Sequence, residues 1–160
     1  MGDSTMVLDS ARPRLKTLAT VAARLNEAAE RFAAELATIE AELDALHIGL
    51  ELSMYQPFRV SETVLDDSGD EEVRYQTLYY LGYHRIHDRW RVAVLTHRQE
   101  VGTEGLPGDI TYVGATPLAS ASRDLQIAAA GQIPPLLKLL QEEAQAHVDK
   151  LEKVSARHNA

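Results

Sequence analysis

Leu15, Leu18, Ala22, Leu25, Ala29, Phe32, Leu36, Ile39, Leu43 and Leu46 follow one another at alternating spacings of three and four. That period draws one apolar stripe along a helix, under-wound enough to meet a second helix. Residues 13–46 are mostly Ala, Leu, Glu and Arg, which favour helix, and after Pro13 no Gly or Pro interrupts them. Asp9 or Ser10 is placed to cap this helix, and Pro13 suits its first turn, where a missing N–H costs nothing. Residues 1–10 then read as a flexible leader. A stripe of this length needs a partner. The expected oligomer interface is Leu18, Ala22, Leu25, Ala29, Phe32, Leu36, Ile39 and Leu43. Ala19, Val21, Ala28 and Ala33 widen the stripe, which suits a bundle of several helices. Glu35, Glu40 and Glu42 flank its far end and would repel a parallel copy, so an antiparallel or mixed arrangement is preferred.

Near Ile48 the period changes to two. Ile48, Leu50, Leu52 and Met54 alternate with Gly49, Glu51, Ser53 and Tyr55, the pattern of a half-buried strand that Pro57 ends or confines to an edge. Residues 66–72 form an acidic connection. Its spacing does not match an EF-hand, so a solvated hairpin loop is expected rather than a calcium loop. Two more strands are predicted at 73–85 and 90–98, turning at residues 86–89. This register sets Tyr83 opposite Val92, Leu81 opposite Val94, Tyr79 opposite Thr96 and His84 opposite Arg91. Val73, Tyr75, Tyr79, Leu81, Tyr83, Trp90, Val92 and Val94 then share a core face. The other face carries Leu78, Tyr80 and Leu95, too apolar for open solvent, so a helix or partner should cover part of it.

Residues 110–113 can add a short fourth strand. Thr116-Pro117 reads as the start of a helix that Gly131 stops near residue 130, and Pro134-Pro135 opens a last helix to about residue 157. On it Ile133, Leu137, Leu140, Ala144, His147, Leu151 and Val154 form a second seam. The expectation is one α+β domain over 1–160. It comprises a long N-terminal heptad helix, a three-stranded antiparallel meander within 48–113, and two C-terminal helices within 117–157.

Composition narrows function mainly by exclusion. The chain has 160 residues, net charge −8 and no cysteine, which removes disulfides and thiolate zinc sites. Its acidity argues against nucleic acid as a general partner. No signal sequence or bilayer-length apolar run is visible, so no membrane association is expected and the cytoplasm is the default location. The hairpin is the exception in charge. Residues 74–98 hold five arginines and one acid, a local charge of +4. His84, Arg85, Arg89 and Arg91 are therefore candidates for binding an anionic ligand or nucleic acid; the plain alternative is pairing with an acidic helix of this chain or a sister chain. His84, His87 and His97 with Asp88 raise a metal site, but His97 lies about 20 Å along the strand from His84's position. No metal and no cofactor are expected. No serine elbow, phosphate loop or HExxH motif occurs, so catalysis is not expected, and an unrecognised enzyme stands as the third reading. The reading is a non-catalytic interaction or assembly module: a homo-oligomer, with a dimer favoured, and a protein partner the sequence does not identify.

Overall fold

A computed structural model describes residues 3–65, 73–102 and 106–158. The fold is α+β: a long helix α1 (Asp3–Ala45), five strands β1 (Leu52–Ser53), β2 (Arg59–Leu65), β3 (Val73–Ile86), β4 (Arg89–Val101) and β5 (Pro107–Pro117), then α2 (Arg123–Ala130) and α3 (Ile133–His158). The chain divides into two compact units, Met1–Ile39 and Glu40–Ala160.

The first unit is helix. It begins at Asp3, so the helix starts earlier than the sequence suggested, and Pro13 lies inside it rather than in its first turn. No Gly or Pro lies between residues 3 and 12 to break a helix. Pro13 still removes one N–H from the ladder. In the second unit α1 ends where His47 turns left-handed, with φ of 49°, and donates its N–H to the Asp44 carbonyl.

That turn corrects the first predicted strand. His47 and Gly49 both have positive φ, so residues 48–51 leave the helix instead of extending, and only Leu52–Ser53 pair with β3. A strand the periodicity missed, β2, pairs with the same edge of β3 from Arg59↔Tyr79 to Leu65↔Val73. Between them the Met54 N–H reaches the Leu81 carbonyl and the Phe58 N–H the Tyr79 carbonyl. Tyr55, Gln56 and Pro57 bulge out between those two bonds, and Pro57, lacking an N–H, belongs there. The acidic connection 66–72 lies outside the described residues.

The sheet order is β1-β3-β4-β5, all antiparallel. The central hairpin has the expected register, including Tyr83↔Val92, Leu81↔Val94, Tyr79↔Thr96 and His84↔Arg91. His87 and Asp88 make its two-residue turn with φ of 47° and 62°, the left-handed pair that matches strand twist. The fourth strand is longer than expected and absorbs Thr116 and Pro117, which do not start a helix. Pro117 is extended and pairs with Ala93; on an edge strand its missing N–H leaves no bond unmade. A 3₁₀ turn at Leu118–Ser120 follows, and Ser122 caps α2 by accepting the Leu125 N–H. Gly131 is the C-cap of α2, as the sequence indicated.

The core occupies the middle of the hairpin and the helices after it. Leu81, Tyr83, Val92 and Val94 are buried on one face, as expected. Leu78, Ala93 and Leu95 are buried on the other, so that face is covered within the single chain. Leu118, Ala129, Ile133, Leu136 and Leu140 complete the core.

Candidate functional site

Two regions carried functional expectations, the basic hairpin and the α1 ridge. In the hairpin, the arginines do not converge on a common point. The Arg91 guanidinium meets the Glu40 carboxylate at 2.6 Å, and the other Glu40 oxygen accepts the Val92 N–H at 3.0 Å. β5 pairs with β4 no further than Ala93, so Val92 lies beyond the last β5 pairing. Glu40, only 5% exposed, supplies the missing acceptor there and neutralises Arg91. Glu40 is therefore no free seam charge, and the hairpin does meet an acidic helix of its own chain. Sequence reasoning missed this role; the signal was an acid placed between Ile39 and Leu43 of the apolar seam. Nearby, burial first and then the charges of Asp44 and Glu40 push the Tyr83 hydroxyl pKa above its usual value.

Arg85 pairs with Asp88 across the turn at 3.1 Å, and Arg89 is exposed at the turn. His84 faces β1 instead of an anion. Ser53 Oγ and His84 Nε2 lie 2.9 Å apart, with Glu51 Oε2 at 3.9 Å from His84 Nδ1. Gly82 makes this possible: a Cβ there would meet the Leu52 carbonyl oxygen at 2.6 Å, Leu95 at 2.6 Å and the His84 ring at 2.9 Å. Burial lowers the His84 pKa, against smaller opposing effects of Glu51 and a hydrogen bond with the Leu52 backbone. A serine hydroxyl within hydrogen-bond distance of an imidazole nitrogen is half of a nucleophilic pair. The other half, a carboxylate hydrogen-bonded to the far nitrogen, is not assembled, since 3.9 Å is beyond hydrogen-bond reach. Glu51 instead accepts the Arg85 N–H at 3.3 Å. These contacts clasp the two-residue strand β1 to β3.

His97 sits edge-on to Tyr80 and Tyr112, with ring centroids 5.1 and 5.3 Å away. Among the described residues no group of three His, Asp or Glu side chains could hold a metal ion. A recess of about 320 Å³ lies at the bulge, lined by Met54 to Phe58 and Gln132, with no charged group.

The α1 ridge is different. Leu15 is 59% exposed, Leu18 61%, Val21 53% and Leu25 41%, and Ala22 is exposed among them. Ala29, Phe32 and Ile39 are half-buried, while Leu36 and Leu43 are buried at 1% and 8%. The eight residues expected at an oligomer interface thus divide: Leu18, Ala22 and Leu25 are open, and Leu36 and Leu43 are enclosed. An apolar recess of about 410 Å³ lies along the open part, lined by Pro13, Arg14, Thr17, Leu18 and Val21. On α3, Val148, Leu151 and Val154 are likewise exposed. His147 is exposed too, with Nδ1 2.8 Å from the Glu143 carbonyl oxygen. No helix among the described residues is long and apolar enough to cross a membrane.

Fold and surface together define an α+β protein whose long N-terminal helix presents an open apolar ridge. Comparison of the chain with protein families, with curated proteins and with solved structures finds no match.

Proposed function

We propose that this chain is a non-catalytic assembly module that self-associates through the ridge of α1. The observation that carries this reading is the exposure of Leu15, Leu18, Val21 and Leu25 together along one helix. Single apolar side chains at a surface are ordinary; a contiguous row of this kind marks an interaction surface. The partner that must always be present at matching concentration is a second copy. The alternative of an anion-binding hairpin loses support because Arg85 and Arg91 already pair with acids of the same chain.

Light scattering at micromolar concentration tests the reading. The mass should exceed the 17.7 kDa of one chain. Leu18→Glu with Leu25→Glu should return it to one chain, because two buried leucines contribute about 1.5–3 kcal/mol each and charges there cannot be buried unpaired. The circular dichroism of the sheet should not change. A monomeric unmutated protein ends the proposal.

A further inference from the structure

We propose that the ridges of two copies meet antiparallel, about a two-fold axis passing between residues 23 and 24 of each α1. The inference rests on the self-association reading and specifies its geometry. In this register Leu18 of one copy meets Ala29 of the other, Ala22 meets Leu25, and Leu15 meets Phe32. Large side chains face small ones in the two central layers, which lets a helix pair close without voids. A parallel pair in register would stack Ala22 on Ala22 and Ala29 on Ala29, leaving gaps between leucine layers.

Charge selects the same arrangement. Residues 11–24 carry Arg12, Arg14, Lys16 and Arg24 and no acid, whereas residues 25–45 carry six acids and only Arg31. A helix positive in one half and negative in the other complements itself only when reversed. The register places Arg14 beside Glu35 of the second copy, on the flank of the ridge, and the two-fold repeats the pair. Arg14 and Glu35 are both exposed on the single chain. In a parallel pair they would lie about 30 Å apart along the axis, at 1.5 Å per residue.

Shape agrees as well. Phe32 of the second copy arrives level with Leu15, on the side of Leu18. The apolar recess bounded by Pro13, Arg14, Thr17, Leu18 and Val21 lies there. Ala19, Val21, Ala28 and Ala33 border the seam and are small enough for close approach.

The absence of cysteine permits a direct test by disulfide trapping. Three variants are compared under mild oxidation: Leu18→Cys, Ala29→Cys, and both together. In the proposed pair the two copies of residue 18 are offset by about 16 Å, beyond disulfide reach, while residues 18 and 29 of opposite copies are adjacent. The doubly substituted protein should form covalent dimers at least about ten-fold faster than either single variant. Ready cross-linking of Leu18→Cys alone overturns the antiparallel order. Slow cross-linking of the double variant, in a protein that light scattering shows to be dimeric, overturns the register. A monomer by light scattering removes the underlying reading instead, so the failures are distinguishable. A second measurement is independent of cysteine packing. Arg14→Glu should weaken the dimer about ten-fold, and adding Glu35→Arg should restore it. Failure of the second change to restore affinity counts against the Arg14–Glu35 pairing.

Discussion

The β3–β4 hairpin and the first half of α1 were both conspicuous in the sequence, one for charge and one for grease, and they end in opposite conditions. Part of the hairpin's charge is spent inside the chain. Arg91 is held by Glu40, Arg85 by Asp88, and His84 by Ser53. The ridge has no such internal use between Leu15 and Leu25, whose large side chains remain exposed. A charged cluster is consumed when acids within the same chain lie in reach. An apolar row is consumed only if enough folded surface lies over it. Function is therefore better sought where the chain leaves a demand unmet than where the sequence is unusual.

The largest expected effect breaks the hairpin side of this contrast. Glu40→Ala leaves Arg91 without its counter-charge and the Val92 N–H without an acceptor. Removing one member of a buried ion pair costs about 3–5 kcal/mol; Arg91 keeps partial solvent access, so the lower end, about 3 kcal/mol, is expected. Urea unfolding of a variant kept monomeric by Leu18→Glu and Leu25→Glu measures this without interference from assembly. A loss under about 1 kcal/mol would mean that the carboxylate is no more than a surface charge.

Next in size is Gly82→Ala. The added methyl would lie 2.6 Å from a backbone oxygen of Leu52, which cannot rotate away as a side chain can. Overpacking of this kind costs about 1–3 kcal/mol. The damage should concentrate on β1, so amide exchange at Leu52 and Ser53 should accelerate before that at Val92 and Val94. Uniform acceleration over the sheet would show that the clasp is not a local device.

Legibility followed the range of the interactions. The hairpin register could be read because residue alternation and a two-residue turn at His87-Asp88 determine it locally. The helical character of α1 and α3 could be read for the same reason. Strand β2 could not: Val60, Thr63, Val64 and Leu65 suit a strand, but their pairing partner lies across an acidic connection and their alternation is weak. Thr116-Pro117 carries a helix-start signature in isolation; pairing with Ala93 on a sheet edge overrode it. The candidate interface was visible as a seam, but which of its residues stay open was not. Leu36 and Leu18 occupy the same stripe, and only the folded chain distinguishes 1% from 61% exposure. Glu40 was misread because a charge beside an apolar seam looks solvated until its arginine, fifty-one residues away, is brought to it.

The smallest expected effect concerns pH and tests whether His84 is truly spent inside the fold. Burial holds its pKa below the ordinary value of 6.5, so the unfolded chain takes up the proton first as pH falls. The folded form therefore loses stability from near 6.5 down to the lower folded pKa, and loses nothing further below it. His84→Gln keeps a side chain able to hydrogen-bond Ser53 but removes the titration. The stability gap between unmutated and variant protein should shift against the unmutated protein as pH drops from about 7 to about 5, through the usual histidine range. Comparing the two profiles cancels the carboxylates they share. Leu18→Glu, on the ridge, should leave the His84 contribution to that slope intact when both are measured as monomers. Parallel profiles for the unmutated protein and His84→Gln would mean that the imidazole titrates as freely folded as unfolded, and the hairpin would then retain one polar group still available to a ligand.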